Sequence, residues 1–251
     1  MKDIIVIKIG TGVLTRENGT LDGSSLVRLA TAVAELKREG YSCVMVSSGA
    51  VGAGVSSLNL KAYPDDVETR QAAAAIGQAR LMQRYRTLFE QFDLDVAQLL
   101  LTGSDLQEHR KRVSATMRRL LKEEKIIPIV NENDSVAIEE LRVGDNDMLS
   151  ARVADFLGAK QLILYTTVDG LLDQGDQLIE SVTDLESVMS LVRSESGKFS
   201  IGGMASKLKA VEYATQAGIE VLVANGRRPE QLSELVAGQG RCTRFLSRGS
   251  E

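Results

Sequence analysis

The sequence predicts an α/β fold, a mainly parallel sheet sandwiched between helix layers. Three observations carry this expectation. Strand-like apolar runs alternate with helical runs from one end of the chain to the other. Residues 4–7, Ile-Ile-Val-Ile, are continuously apolar and β-branched, as strands buried on both faces are. Several of these runs empty into turns of Gly, Ser, Asn, Asp or Thr. In an open sheet of this kind, ligands bind beyond the carboxyl ends of the strands.

Composition narrows the function classes. A chain of 251 residues with 43% hydrophobic residues can bury a sizeable core, and with 4% aromatics and no Trp that core is aliphatic. A net charge of −4 argues against a nucleic-acid binder, which would carry a basic face. Residues 1–10 are apolar but interrupted by Lys8, and they read as a first strand, not a signal peptide. No apolar run approaches the roughly 20 residues of a membrane span. Cys43 and Cys242, the two cysteines, are too few for a disulfide scaffold or zinc site, so a reducing cytoplasm is expected. The one histidine, His109, lies in a polar helical stretch, which disfavours mechanisms that need a histidine base.

Taken in order, the first strand runs into residues 8–12, Lys-Ile-Gly-Thr-Gly. Gly10 and Gly12 would let backbone N–H groups approach a phosphate, although Thr15 spoils a dinucleotide fingerprint. Lys8, inside a hydrophobic strand, must either meet an anion or snorkel to solvent. An amphipathic helix is expected over 24–39, with Gly40 past its end, and a second strand over 43–46. Residues 47–54, Ser-Ser-Gly-Ala-Val-Gly-Ala-Gly, then have two readings. Their N–H groups hold a carboxylate or phosphate, or the small residues let a helix pack closely on the sheet.

Asp65 or Asp66 caps a long helix over 67–92, followed by a third strand at 96–101. Ser104 with Gln107 suggests a capping box for one basic helix running to residue 125. The fourth strand, 126–130, stops abruptly at residues 131–134, Asn-Glu-Asn-Asp. Residues 144–147, Gly-Asp-Asn-Asp, then open a helix over 148–157. Either acid-amide cluster alone is what a turn or an N-cap would use. Together they are more than capping requires. A fifth strand (161–165) precedes residues 166–170, Thr-Thr-Val-Asp-Gly, and a helix is expected near 184–193. The polar, glycine-bearing segment 194–203 reads as a mobile lid. The helix over 204–217 carries Lys207 in its first turn, where a cation opposes the helix dipole unless an anion is near. A sixth strand covers 220–224 and a seventh 242–246.

Isolated lysines, aspartates and asparagines, with glycine turns and no evident nucleophile, suit phosphoryl transfer, which runs on positioning and charge neutralisation. A carboxylate acceptor would need no general base, because it is already ionised at neutral pH.

With residues 8–12, 46–54, 131–134, 143–147 and 202–207 in view, the chain resembles the amino-acid kinase family over nearly its whole length. The pairing of Asn-Glu-Asn-Asp with Gly-Asp-Asn-Asp resembles the members that phosphorylate glutamate. The resemblance implies one amino-acid kinase domain over 1–251, its N-terminal part mainly the glutamate site and its C-terminal part mainly the ATP site. It implies conversion of ATP and L-glutamate to L-glutamyl 5-phosphate and ADP, the first step toward proline, with Mg²⁺ carried by the ATP phosphates. By match, Lys8 and Lys207 hold phosphoryl oxygens and Asp147 orients both lysines. Ser48, Gly49, Ala50, Asn131, Asp134, Asp145 and Asn146 form the glutamate site. Gly10, Gly12, Thr166, Thr167, Ile201, Gly202, Gly203, Met204, Ala205 and Ser206, with both lysines, line the nucleotide site.

The resemblance also implies a homo-oligomer and, as a partner, the next enzyme of the proline pathway. Three departures fall on the nucleotide side. Thr167 replaces the frequent Asp, Ile201 replaces the usual Thr, and residues 171–176 lack the usual Tyr and Asp-Pro. Many relatives carry a C-terminal PUA domain, and the chain is expected to be a short form without it. Other acceptors (N-acetylglutamate, aspartate, carbamate) and a non-catalytic glutamate or nucleotide sensor are the alternative readings.

Overall fold

The computed structural model describes residues 2–60, 63–136, 146–173, 175–186, 188 and 204–247. Its centre is β1 (Ile4–Ile9), buried at all six positions. β2 (Ser42–Ser47) and β5 (Gln161–Thr166) flank it, both parallel to it. Outward on one side come β4 (Ile126–Glu132) and β3 (Asp95–Leu101); on the other come β7 (Glu220–Asn225), β8 (Cys242–Phe245) and β6 (Ser181–Val182). The order is β3-β4-β2-β1-β5-β7-β8-β6. Among the described strand pairings of this sheet, only β7–β8 is antiparallel. The chain therefore leaves β1 toward β2 and returns on its other side at β5, and this reversal of strand order opens a crevice at the carboxyl edge.

Side chains alternate between the two faces of a strand. Ile4 and Val6 of β1 join one core, with residues of β2, β4, β5 and β7. This core is covered by α6 (Arg110–Leu120), α7 (Asn146–Leu157) and α8 (Met204–Gln216). Ile5, Ile7 and Ile9 join the opposite core under α2 (Gly23–Arg38), α4 (Val67–Glu90) and α9 (Leu232–Val236). The predicted sandwich is what forms. Cys43 and Cys242 are buried, free thiols in β2 and β8, and burial pushes the Cys43 thiol up to about 12. Among the described residues no helix is long and apolar enough to cross a membrane.

Several local expectations are corrected. The single basic helix divides at His109 into α5 (Gly103–Glu108) and α6, because His109 leaves the helical region at φ −114°, ψ 16°. The capping box lies two residues earlier than read. The Thr102 side chain accepts from the Asp105 N–H at 3.3 Å, and the Asp105 carboxylate accepts from the Thr102 N–H at 2.8 Å. The short helices α1 (Thr11–Leu14) and α9 and the two-residue strand β6 were not predicted, being too brief for a periodic signal. The expected helix 184–193 falls mostly, and the expected lid 194–203 wholly, outside the described residues.

Of the two readings of residues 47–54, close helix packing is the one the structure shows. Gly49 takes φ +98°, a left-handed conformation that a side chain would strain, and it turns the chain from β2 into α3 (Ala50–Val55). Gly54 and Gly77 are packing glycines. A Cβ on Gly54 would stand 1.9 Å from the Ala73 carbonyl oxygen, and one on Gly77 would stand 1.8 Å from that of Ala50. Backbone thus touches backbone where α3 crosses α4. Gly77→Ala, which in an ordinary helix would stabilise by about 1 kcal/mol, should here destabilise by roughly 1–3 kcal/mol through overpacking. A thermal melt should show a fall of at least a few degrees. A rise in Tm would contradict the close approach.

Candidate active site

Lys8 is the fifth residue of the buried strand β1, and the two-residue period explains where its side chain goes. Position 8 shares a face with Ile4 and Val6, the face covered by α7 and α8. Its ammonium reaches Asp147 Oδ1 at 2.5 Å, with the lysine 2% exposed and the aspartate 0%. Of the two fates open to Lys8, anion contact is the one realised. Lys207, in the first turn of α8, donates to the other oxygen, Asp147 Oδ2, at 3.0 Å. Asp147 lies in the first turn of α7, where a carboxylate is favoured by the helix dipole. It also supplies the negative charge that the first-turn position of Lys207 called for. Two ammonium groups anchored on one carboxylate make a rigid cationic clamp, suited to the oxygens of a transferring phosphoryl group.

Asn146, the preceding residue, faces the other way. Its Nδ2 donates to Ser48 Oγ at 2.8 Å, to Asn131 Oδ1 at 3.0 Å and to the Ser47 carbonyl at 3.4 Å. Asn131 Oδ1 also accepts from the Glu132 N–H at 2.9 Å, and Asn131 Nδ2 donates to Gln78 Oε1 at 2.9 Å. Ser47 Oγ is bonded to the Tyr85 hydroxyl at 2.8 Å, and burial raises the Tyr85 phenol above its ordinary range. Asn146 Oδ1 is buried without a hydrogen-bond partner among the described residues. Such an atom costs free energy unless a donor arrives. Gln78 and Tyr85, both on α4, were missed in the sequence because an Ala-rich helix offers no signal that two of its polar side chains turn inward.

The remaining predicted residues that the structure describes are distributed along the same edge. Gly49 and Ala50 are buried directly after Ser48, and Asp134 is half-buried just beyond β4. Gly10 is committed otherwise than expected. Its N–H donates to the Tyr165 carbonyl at 3.2 Å, so its smallness serves the close approach of β1 to β5. Gly12 lies against Thr167, whose Cγ2 would be 3.0 Å from a Cβ there. Thr166 ends β5 half-buried, Thr167 is exposed, and Met204, Ala205 and Ser206 lead α8 into Lys207. Nearby, Asp169 accepts from Asn225 at 2.9 Å and pairs with Arg241 at 2.8 Å. The Asn225 hydrogen bond, with help from Arg228 and Arg241, holds its carboxyl below the usual range. Asp145, Ile201, Gly202 and Gly203 lie outside the described residues.

A strand lysine and a helix lysine sharing one buried aspartate, at the switch point of a mainly parallel sheet, define the class. The chain belongs to the amino acid kinase family, whose family model matches residues 3–225. Among curated relatives it is 44% identical to a glutamate 5-kinase from a Synechococcus species, over 96% of this chain and 67% of that protein. It is 39% identical to the glutamate 5-kinase of Clostridium acetobutylicum, over 96% of this chain and 94% of the relative. The chain thus spans about two thirds of the first relative and nearly all of the second. Among solved structures, carbamate kinase from Giardia lamblia bound to AMP-PNP superposes with a TM-score of 0.69 at 14% identity, covering 98% of each chain. UMP kinase from Ureaplasma parvum superposes with a TM-score of 0.64 at 14% identity, covering 98% of this chain and all of that one. At such identities these two speak to the fold alone.

Asp147→Asn should leave two buried ammonium groups facing a neutral amide. Breaking a buried charge pair by removing one partner costs about 3–5 kcal/mol. The urea midpoint should fall accordingly, and an unchanged midpoint would show that the carboxylate does not hold the lysines.

Proposed function

We propose that the chain transfers the γ-phosphoryl group of ATP to the side-chain carboxylate of L-glutamate, giving L-glutamyl 5-phosphate and ADP, the first step toward proline. The observation that carries this reading is the junction at Asn146 and Asp147, where a polar cluster with an unsatisfied acceptor adjoins a two-lysine clamp. The names of the two curated relatives support it.

In this reading the N-terminal part of the chain holds glutamate. Asn146 Oδ1 accepts from the α-ammonium group, together with the Asp134 carboxylate. Ser48, Gly49 and Ala50 turn donors toward carboxylate oxygens, with Asn131 and Asp145 bordering the same site. The C-terminal part holds ATP along Thr166, Thr167 and residues 201–207, with Gly10 and Gly12 opposite. One oxygen of the glutamate side chain attacks the γ-phosphorus, and the bond to the β,γ-bridging oxygen breaks. ADP leaves with that electron pair. No proton has to be removed from the nucleophile. Lys8 and Lys207 stabilise the charge that spreads over the transferring oxygens, and Asp147 keeps the two ammonium groups in register.

Among the described residues no group of three or more acidic, His or Cys side chains could hold a metal by itself. Both Asp147 oxygens are engaged by lysines. In this reading Mg²⁺ is the ion carried by the phosphates of ATP, where it would neutralise phosphate charge. A cytoplasmic location and a homo-oligomer belong to the same reading. So does the next enzyme of the pathway as a partner, because an acyl phosphate is prone to hydrolysis in water.

Two measurements test the reading. Lys8→Met and Lys207→Met should each lower kcat about 100-fold or more, as loss of comparable electrostatic donors does. The KM for glutamate should change far less, because the lost interaction is strongest in the transition state. Turnover within about threefold of wild type would refute the clamp. Separately, N-acetyl-L-glutamate should be at least about tenfold poorer than L-glutamate in coupled ADP release, since acetylation removes the ammonium that Asn146 and Asp134 receive. Equal use of both acceptors would overturn the choice of glutamate.

A further inference from the structure

The chain of amides from Gln78 to Asn146 has a direction, which two backbone groups reveal and help to hold. The Glu132 N–H can only donate, so the atom 2.9 Å from it must be the oxygen of Asn131. The Ser47 carbonyl can only accept, so the Asn146 atom turned toward it must be nitrogen. Between these anchors Asn131 Oδ1 receives Asn146 Nδ2 at 3.0 Å, and Asn131 Nδ2 is turned away toward α4. There Gln78 Oε1 accepts from it at 2.9 Å. The consequence appears at the far end. Asn146 spends its amino group inward and is left presenting a buried carbonyl oxygen that has no partner among the described residues.

We infer that Gln78 is a positioning residue for the amino-acid acceptor: by accepting from Asn131, it holds the amide chain in the polarity that offers Asn146 Oδ1 to the substrate ammonium. This deepens the proposed function and rests on it. Gln78 does not touch the substrate in this scheme. It comes from the helix layer opposite α7, so the chain Gln78–Asn131–Asn146 ties the two layers together through the end of β4. Its placement follows from α4 packing. Gly77 brings the α4 backbone onto α3, and the next residue, 9% exposed, is thereby turned to the sheet edge. Without an acceptor at position 78, Asn131 Nδ2 would be buried and unsatisfied. The Asn131 side chain then shifts to reach another acceptor, and Asn146 loses the partner that fixes its own orientation.

The test uses two variants of near-equal shape. Gln78→Met keeps the volume and removes the acceptor; Gln78→Glu keeps an acceptor oxygen. The KM for L-glutamate should rise about tenfold in Gln78→Met, equal to roughly 1.4 kcal/mol, and stay within about threefold of wild type in Gln78→Glu. The KM for ATP and kcat should change less than threefold in both. In an Asn146→Ala background, Gln78→Met should add little further, because both changes act on one interaction. A merely structural role would instead tolerate Gln78→Met, the shape-preserving change, and add its effect independently of Asn146. Unchanged glutamate KM in Gln78→Met, equal damage from both variants, or additivity with Asn146→Ala would each overturn the inference while leaving glutamate phosphorylation standing. Failure of the wild type to use L-glutamate at all would take down the functional reading and this inference with it.

Discussion

One buried carboxylate organises the functional edge of this protein. Ionised groups leave water at a cost of several kcal/mol each unless partners are close. Asp147, fully buried, meets this requirement with two lysines from separate elements. For Lys8 to reach it, β1 must occupy the middle of the sheet with its even-numbered residues facing α7 and α8. For Lys207 to reach it, α8 must lie against α7 with its first turn at the carboxyl edge of the sheet. Strand order, strand face and helix placement therefore all bear on one ion cluster. A register slip of one residue in β1 would turn Lys8 into the opposite, aliphatic core.

The adjacency of Asn146 and Asp147 places two different chemistries on one rigid support. Successive helix residues point about 100° apart, so one first turn of α7 sends an amide toward β2 and β4 and a carboxylate toward β1 and α8. The amide belongs to a network of directional hydrogen bonds among Ser48, Asn131 and Gln78. The carboxylate belongs to a compact ion cluster. In the functional reading, the first fixes the acceptor and the second the group being transferred, and their relative position is set by covalent geometry instead of by a loop. Such preorganisation is what phosphoryl transfer to an already anionic nucleophile needs from a protein.

Glycines illustrate how one residue type answers different constraints along the same edge. Gly49 is present for its backbone angle, Gly54 and Gly77 because another helix backbone occupies the space of a side chain, and Gly10 because β1 approaches β5 there. The glycine-rich turn after β2 looks in sequence like a phosphate or carboxylate cradle. In three dimensions part of it is a helix-packing surface that steadies α4, and hence Gln78 and Tyr85.

What the sequence determined by itself was whatever has a local period or a local conflict. Continuous β-branched runs marked the major strands to within a residue or two, and amphipathic repeats marked the main helices. Lys8 in a hydrophobic strand and Lys207 against a helix dipole each announced a missing anion. Only the tertiary structure decided that one Asp147 answers both, because the pairing depends on sheet order and strand register, which are set by non-local packing. The same limit hid Gln78, whose importance lies in an Asn on a distant strand, the antiparallel direction of β8, and the two-residue β6, too short for a periodic trace. It also concealed the break at His109, where backbone angles end a helix that the side-chain pattern would have continued. Periodicity is written along the chain, whereas partners are chosen across it.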